Sequence, residues 1–337
     1  MIRRPGSLDF TDERKEPQMT DHGILRAIGN TPLVRLTRVT DGLGAEVWVK
    51  VEYLNPSGSI KDRIALYMVE TAEREGKLRP GGTIVEASTG NTAIALAFVA
   101  AVKSYKLKIF MPVEVASGER VKLMRVFGAE IETIDARAEG MSLDPTLHGG
   151  ILEIVPRMKC RDLEASTPGV WWARQFSNPE NVRAHREATG FEIVQQAPGT
   201  VDGFTASVGT GGTLLGVAQA LREAWPEVAI VSVEPTGLPM LGEARARMPL
   251  LSGITDGILV DIDRAGLGGE TVAIADDEAV AMAHRLAMEE GLCCGVSGGA
   301  NVVAAIRLAR RLGSKSRVVT VLPDRRDRYL TVEKYIT

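Results

Sequence analysis

The sequence predicts an α/β fold of two open, twisted, mostly parallel sheets flanked by helices, and three observations carry that prediction. From residue 83 onward, short β-rich runs alternate with helical runs. Glycine-rich segments sit where strands hand over to helices. The length, 337 residues, suits two α/β domains of roughly 150 residues each.

In order, Thr83 to Ala87 reads as a strand, 92–104 as an almost wholly apolar helix, and Leu107 to Met111 as a strand stopped by Pro112. A helix over 117–127 ends at Gly128, and Ala129 to Ile134 follows as a third strand. Strand–helix–strand alternation demands crossovers, and right-handed crossovers give parallel pairing. A second set follows: strand 201–208, helix 213–225, strand 228–234, helices 277–290 and 299–312, and strand 317–322. Residues 136–170 fit neither set. They hold Pro145, Gly149, Gly150, Pro156 and Pro168 and read as a variable insertion with one short helix.

Composition narrows the function. Lys and Arg total 40 against 43 for Asp and Glu, a net charge of −3, so there is no electrostatic case for nucleic acid or an anionic membrane. Cys160, Cys293 and Cys294 form neither a C-x-x-C pair nor an even disulfide framework. Four scattered histidines lack metal-ligand spacing, so no catalytic metal is expected. No run of 18 or more apolar residues appears, since the uncharged stretch from Gly203 to Leu221 is interrupted by glycine, serine and threonine, and the protein reads as cytoplasmic. Its partners are then small molecules or other subunits.

Ligands of open parallel sheets bind beyond the carboxyl ends of the strands. The handover loops in question are Ser88-Thr89-Gly90-Asn91-Thr92, Gly209-Thr210-Gly211-Gly212-Thr213 and Gly295-Val296-Ser297-Gly298-Gly299. Before them lies Asn55-Pro56-Ser57-Gly58-Ser59-Ile60-Lys61-Asp62-Arg63, a turn leading into a helix with Ile64, Met68, Val69 and Ala72 on one face. Ser59 and Asp62 make a capping signal that puts Lys61 in the first helical turn, facing the positive end of the helix dipole. That position favours a neutral, nucleophilic amine; the competing reading is a solvated lysine paired with Asp62.

The Gly209 to Thr213 loop reads as an anion cradle, because missing side chains let backbone N–H groups close on a phosphate at a helix amino end. Four glycines between Gly209 and Gly216 exceed what a turn needs. A dinucleotide site competes, with Glu234 as ribose acid, but the glycine spacing matches only in part. Gly295-x-Ser297-x-Gly299 formally fits a hydrolase nucleophile elbow, yet His22, His148, His185 and His284 all precede it, which is the wrong order. Asn91 and Ser297 are each helix N-cap candidates as well as ligand candidates.

Taken together with Ile28-Gly29-Asn30-Thr31-Pro32-Leu33-Val34-Arg35-Leu36 and Arg174-Gln175-Phe176-Ser177-Asn178-Pro179, these segments resemble, in order, the cysteine synthase and cystathionine β-synthase family. These are fold-type II pyridoxal-phosphate enzymes, built like the tryptophan synthase β subunit. The resemblance implies a tail over 1–24, an N-terminal domain over 25–178 in which about 31–50 crosses to the other domain, and a C-terminal domain over 179–337. It implies that Lys61 forms the Schiff base with pyridoxal 5′-phosphate, that Asn91 bonds the ring 3′-oxygen and that Gly209, Thr210, Gly211, Gly212 and Thr213 hold the phosphate. Ser297 would face the ring nitrogen, while Ser88, Thr89, Asn91, Thr92 and Gln175 would clasp the substrate carboxylate.

The implied reaction is β-replacement on O-acetyl-L-serine or O-phospho-L-serine with sulfide, through an α-aminoacrylate, to give L-cysteine. Amine or larger-thiol nucleophiles, giving diaminopropionate or cystathionine, are the nearest alternatives; a serine dehydratase and a nicotinamide dehydrogenase stand further off. The resemblance also implies a homodimer and a serine acetyltransferase partner. The chain departs from the family where Ser88-Thr89 stands in place of threonine then serine, at Asp256 in Gly253 to Gly257, and at Asp324-Arg325-Arg326-Asp327-Arg328-Tyr329, where the family carries a serine-glycine-glutamate run. The arginines at 325, 326 and 328 read as a solvated surface cluster.

Overall fold

The computed structural model describes residues 23–113, 118–135, 154–236, 257–266 and 270–330. Most of the expected tail, residues 136–153, and Gly253 to Asp256 lie outside them. Strands β1 (Leu33–Arg35) and β2 (Glu46–Lys50) come first, followed by helix α1 (Lys61–Arg74), β3 (Thr83–Ala87), α2 (Asn91–Val102), β4 (Lys106–Pro112), α3 (Gly118–Val126) and β5 (Glu130–Ile134). Helix α4 (Ile154–Ser166) and β6 (Val170–Trp172) precede a helical run of α5 (Pro179–Ala184), a π turn (His185–Gly190) and α6 (Phe191–Gln196). The remaining elements are β7 (Gly203–Ser207), α7 (Gly212–Ala224), β8 (Ala229–Pro235), α8 (Gly257–Arg264), β9 (Thr271–Ile274), α9 (Asp276–Glu290), α10 (Val296–Leu312) and β10 (Arg317–Val321).

Two sheets form. One has four parallel strands in the order β5-β4-β3-β6; the other has six, β1-β2-β10-β7-β8-β9, parallel except for the antiparallel edge pair β1–β2. Residues 33–50 thus join the six-stranded sheet through β2 and β10, paired from Glu46–Arg317 to Lys50–Val321. Both sheets are covered on both faces, as parallel sheets require. Helices α1 and α2 bury Ile64, Met68, Ile94 and Leu96 against Ile84 and Ile109, while Val155 and Cys160 of α4 pack with Val85 and Trp172 on the other face. In the larger sheet Leu214, Val217 and Leu221 of α7 lie on one side, and Leu286 of α9 and Val302 of α10 on the other. The apolar helix seen at 92–104 is apolar all round because it is buried all round.

The reading of 136–170 as an insertion is corrected over its described part. Residues 154–166 form a core helix, and β6 pairs with β3 from Thr83–Val170 to Val85–Trp172. The prolines misled because Pro156 falls in the first turn of α4, where a missing N–H costs nothing. Among the described residues no helix is long and apolar enough to cross a membrane.

Candidate active site

The carboxyl ends of β3, β6, β7 and β10 and the turn after β2 deliver the residues of interest. The turn before Lys61 is tied down at several points. The Asn55 carboxamide donates to the Glu52 carbonyl at 2.7 Å and to the Glu52 carboxylate at 2.9 Å, and accepts from Gly29 N at 2.8 Å. Gly58 takes a positive φ of 91° that a side chain would strain. Ile60 N donates to Pro323 O at 2.8 Å, and Ser59 forms an isolated bridge with Asp324. Two residues on, the buried Arg63 guanidinium grips Glu52 (2.7 and 2.8 Å) and Glu192 (2.7 Å to each oxygen).

Helix α1 begins at Lys61 as expected, and the capping signal is half realised: the Ser59 hydroxyl accepts from Lys61 N at 3.3 Å, while Asp62, instead of reaching back to Ser59, accepts from Ser57 N at 2.6 Å and from the Ser57 hydroxyl. The carboxylate therefore bends the Asn55–Gly58 turn back onto the helix, and the alternative of a solvated Lys61–Asp62 pair falls away. Surrounding protein lowers the Lys61 pKa to about 8 because its charged form is desolvated, an effect that nearby Asp324 partly opposes.

Asn91 is the first residue of α2, preceded by Gly90 with no side-chain cap, so its N-cap reading is overturned. Its amide lies between two charged groups, with Nδ2 donating to Asp324 Oδ2 at 2.7 Å and Oδ1 accepting from Arg328. Ser297 also fails as a cap: α10 starts at Val296 after Gly295, and the half-buried Ser297 hydroxyl bonds to none of the described residues. Ser88 accepts from Gly90 N at 3.4 Å. Thr92 donates to Gln175 Oε1 at 2.6 Å, and Gln175 Nε2 donates to Ala87 O at 3.0 Å, so the Gln175 amide is bound to protein at both ends. Gln175 N is anchored on buried Glu86 at 2.9 Å. Thr89 stands between Ser88 and Gly90 in the same loop.

The loop after β7 answers well to an anion. The N–H groups of Gly209, Thr210, Gly211 and Thr213 find no acceptor among the described residues, and that of Gly212 reaches only the Thr210 hydroxyl, at 3.4 Å. They crowd the amino end of the 13-residue helix α7, with Gly211 at a positive φ of 87°. A Cβ on Gly212 would lie 2.0 Å from Asn181 Oδ1, a buried oxygen with no hydrogen-bond partner among the described residues. Asn181 Nδ2 in turn holds the Thr210 hydroxyl at 3.0 Å and Gln175 O at 2.8 Å. Such a set of free, convergent donors fits a phosphate. Gly216, part of the surplus that the sequence reading assigned to a ligand, is a packing residue: a Cβ there would meet Val182 O at 2.3 Å.

Four side chains escaped the sequence reading. Asn181 braces the loop as described. His185 lies beneath it, its Nε2 3.2 Å from the Thr213 hydroxyl and its Nδ1 3.0 Å from that of Thr189. Burial, with Lys61 and Arg63 nearby, holds its pKa well below the usual value, so the ring is neutral. Asp324 and Arg328 form the third and fourth. Arg326 and Arg328 are buried at 9% and 5% exposure, which corrects the solvated-cluster reading; Arg325 alone fits it, paired with Asp327 at 3.4 Å. A signal was present, since Asp324 to Tyr329 follows the carboxyl end of the 317–322 strand, the position where sites gather.

Residues 24–324 match the model of a family described as pyridoxal-phosphate dependent enzymes. A cysteine synthase of Staphylococcus aureus is 42% identical over 313 residues, covering 93% of this chain and 96% of its own. Among solved structures, a cysteine synthase from Entamoeba histolytica superposes with a TM-score of 0.79 at 31% identity, over 100% of this chain and 94% of that one. An O-ureido-L-serine synthase does so with a TM-score of 0.76 at 36% identity, over 93% and 94%.

Proposed function

Because the chain belongs to the pyridoxal-phosphate dependent enzyme family, we propose that it catalyses β-replacement on an O-activated L-serine, O-acetylserine or O-phosphoserine, with sulfide to give L-cysteine. The observation that carries the proposal is one juxtaposition. The Lys61 amine, its pKa lowered to about 8 by burial, lies near enough to His185 to help lower the pKa of that ring, and His185 Nε2 is 3.2 Å from the hydroxyl of Thr213 in the glycine loop. A reactive amine and an anion cradle within one site are what covalent capture of a phosphorylated aldehyde needs. The likeness to the S. aureus cysteine synthase supports sulfide as the second substrate.

When bound, pyridoxal phosphate withdraws electrons from the substrate's Cα, so that the Cα proton is acidified and the β-substituent can leave. Lys61 Nζ would hold the cofactor in the resting enzyme and, once released, would take the Cα proton. The main chain of Gly209 to Thr213 holds the phosphate, and Asn91 offers an amide hydrogen to the ring oxygen. Ser297 would offer a neutral hydroxyl to the ring nitrogen, a partner with no negative charge to hold a proton there, and so would suit loss of the β-substituent. Ser88, Thr89, Asn91 and Thr92 would receive the substrate carboxylate, Asn91 through its main-chain N–H because its side-chain amide is held by Asp324 and Arg328 and faces the ring oxygen. Gln175 fixes the Thr92 hydroxyl, so it serves that carboxylate through Thr92 while the pair stays bonded. Closure of the four-stranded unit, within 25–178, over the unit 179–337 excludes water from the reacting centre.

The likeness to O-ureido-L-serine synthase favours one second reading, a different nucleophile on the same first half-reaction. Offering O-acetylserine and O-phosphoserine separately, each with sulfide, homocysteine or glutamate, distinguishes the two. Cysteine formed fastest with sulfide supports the first reading, and equal turnover without any nucleophile defeats replacement altogether. A cytoplasmic homodimer able to bind a serine acetyltransferase completes the proposal, checked by light scattering with and without that enzyme.

A further inference from the structure

Asparagine carboxamides are ambiguous end for end, because oxygen and nitrogen are nearly isosteric. At Asn91 the neighbours remove the ambiguity. The Arg328 guanidinium has only donors, so the atom it touches is Oδ1; Asp324 Oδ2 also receives the Tyr329 hydroxyl, so the atom donating to it from Asn91 is Nδ2. A flip would set donor against donor at Arg328 and acceptor against acceptor at Asp324. One Nδ2 hydrogen goes to Asp324, and the other has no acceptor among the described residues.

Both clamping residues are buried, Asp324 at 1% and Arg328 at 5% exposure, and both are fixed to the lysine turn. Arg328 donates to Ser57 O, and Asp324 bridges Ser59, two residues before Lys61. Gly295 N donates to Asp324 O at 2.9 Å, two residues before Ser297. Residues separated by 233 and 237 positions from Asn91 therefore set its orientation.

We propose that Asp324 and Arg328 are positioning residues that lock the Asn91 amide in one orientation, so that its remaining N–H is pre-aimed at the ring oxygen of the cofactor. This rests on the pyridoxal-phosphate reading above. A donor already oriented loses no rotamer freedom on binding, so the lock contributes to cofactor affinity through Asn91 and through no contact of its own with the cofactor.

A double-mutant cycle tests that dependence. The dissociation constant of pyridoxal 5′-phosphate is measured by reconstitution of apo-protein, with the visible absorbance of the bound cofactor and the thermal midpoint recorded for each variant. Arg328→Met should weaken binding about 10-fold, or about 1.4 kcal/mol, and Arg328→Lys, which restores a donor, should recover most of the loss. In an Asn91→Ala background, Arg328→Met should cost less than about twofold. A loss that multiplies across the cycle, or an Arg328→Met protein with wild-type affinity, overturns the lock. Should Arg328→Met fail to fold, Asp324→Ala in the same cycle, measured at about pH 9.5 where the Lys61 amine is neutral in every variant, decides by the same criterion. Wild-type protein that takes up no cofactor defeats the functional reading itself, an outcome distinct from either.

Discussion

The two ends of the site recognise their ligand by different means. At the amino end of α7 the protein offers main chain: N–H groups of Gly209, Thr210, Gly211 and Thr213, which have no acceptor among the described residues at a helix terminus. At Lys61 and Asn91 it offers side chains: Arg63, gripping Glu192, braces the turn that carries Lys61, and hydrogen bonds to Asp324 and Arg328 hold the Asn91 amide. The first arrangement needs only local backbone shape. The second needs the whole fold, because an amine with a depressed pKa and an amide with a fixed orientation exist only once distant charges are packed around them.

The largest expected effect belongs to the side-chain end. Lys61→Ala removes both the covalent anchor and the base, so turnover should fall by about 10³-fold or more. Mass spectrometry after borohydride should then show no cofactor adduct; an adduct that persists breaks the contrast by placing the anchor elsewhere. At the main-chain end, Gly212→Ala would drive a Cβ to 2.0 Å from Asn181 Oδ1. Overpacking of this kind costs about 1–3 kcal/mol, so the loop should open and cofactor affinity drop by roughly 10- to 100-fold. Asn181→Ala in that background should recover part of the loss by removing the clash. Full affinity in Gly212→Ala would mean that side chains, not this loop, hold the phosphate.

The same contrast governs what could be read in advance. Glycines at a strand-to-helix junction are a local signal, and the Gly209–Thr213 loop was legible from it. So were β3 to β5, α2 and the pair of sheets, whose hydrophobic periods are set by burial on both faces. The strands β1 and β9 and the helical run 179–196 were not. β1 has three residues and β9 four, too short for a period to show, and the π turn at His185–Gly190 breaks the helical repeat. Arg326 and Arg328 looked like surface charge because the composition of 324–329 is that of a solvated turn. Only the register of β10 beside β2 and β7 puts them inside. The caps expected at Asn91 and Ser297 failed for a related reason: Gly90 and Gly295 take the cap positions and leave those side chains to the cleft.

Gln175→Ala lies between the two ends. It leaves the Thr92 hydroxyl without its 2.6 Å acceptor, so KM for the amino-acid substrate should rise about 10-fold with kcat changed less; an unchanged KM would remove Gln175 from carboxylate binding. Ser297→Ala should retain the cofactor, with kcat lowered roughly 3- to 10-fold for loss of one hydrogen bond to the ring. An unchanged kcat would show that Ser297 does not meet the ring nitrogen.

The last and smallest effect is a shift in pH dependence that isolates the distant charge. In apo-protein the Lys61 amine is protonated below about pH 8 and free above it. The rate of cofactor capture should therefore rise about tenfold per pH unit below that point, in step with the neutral fraction, and level off above it. Burial sets the low value, and the Asp324 carboxylate, which stabilises the ammonium form, raises it against that trend. Replacing Asp324 with Asn removes the attraction, so the break in the profile should move to lower pH while its slope stays the same. Stopped-flow absorbance across pH 6 to 10 measures both. A break that stays in place in Asp324→Asn would show that Lys61 is tuned by burial alone, and the side-chain end of the site would then be as local as the glycine loop.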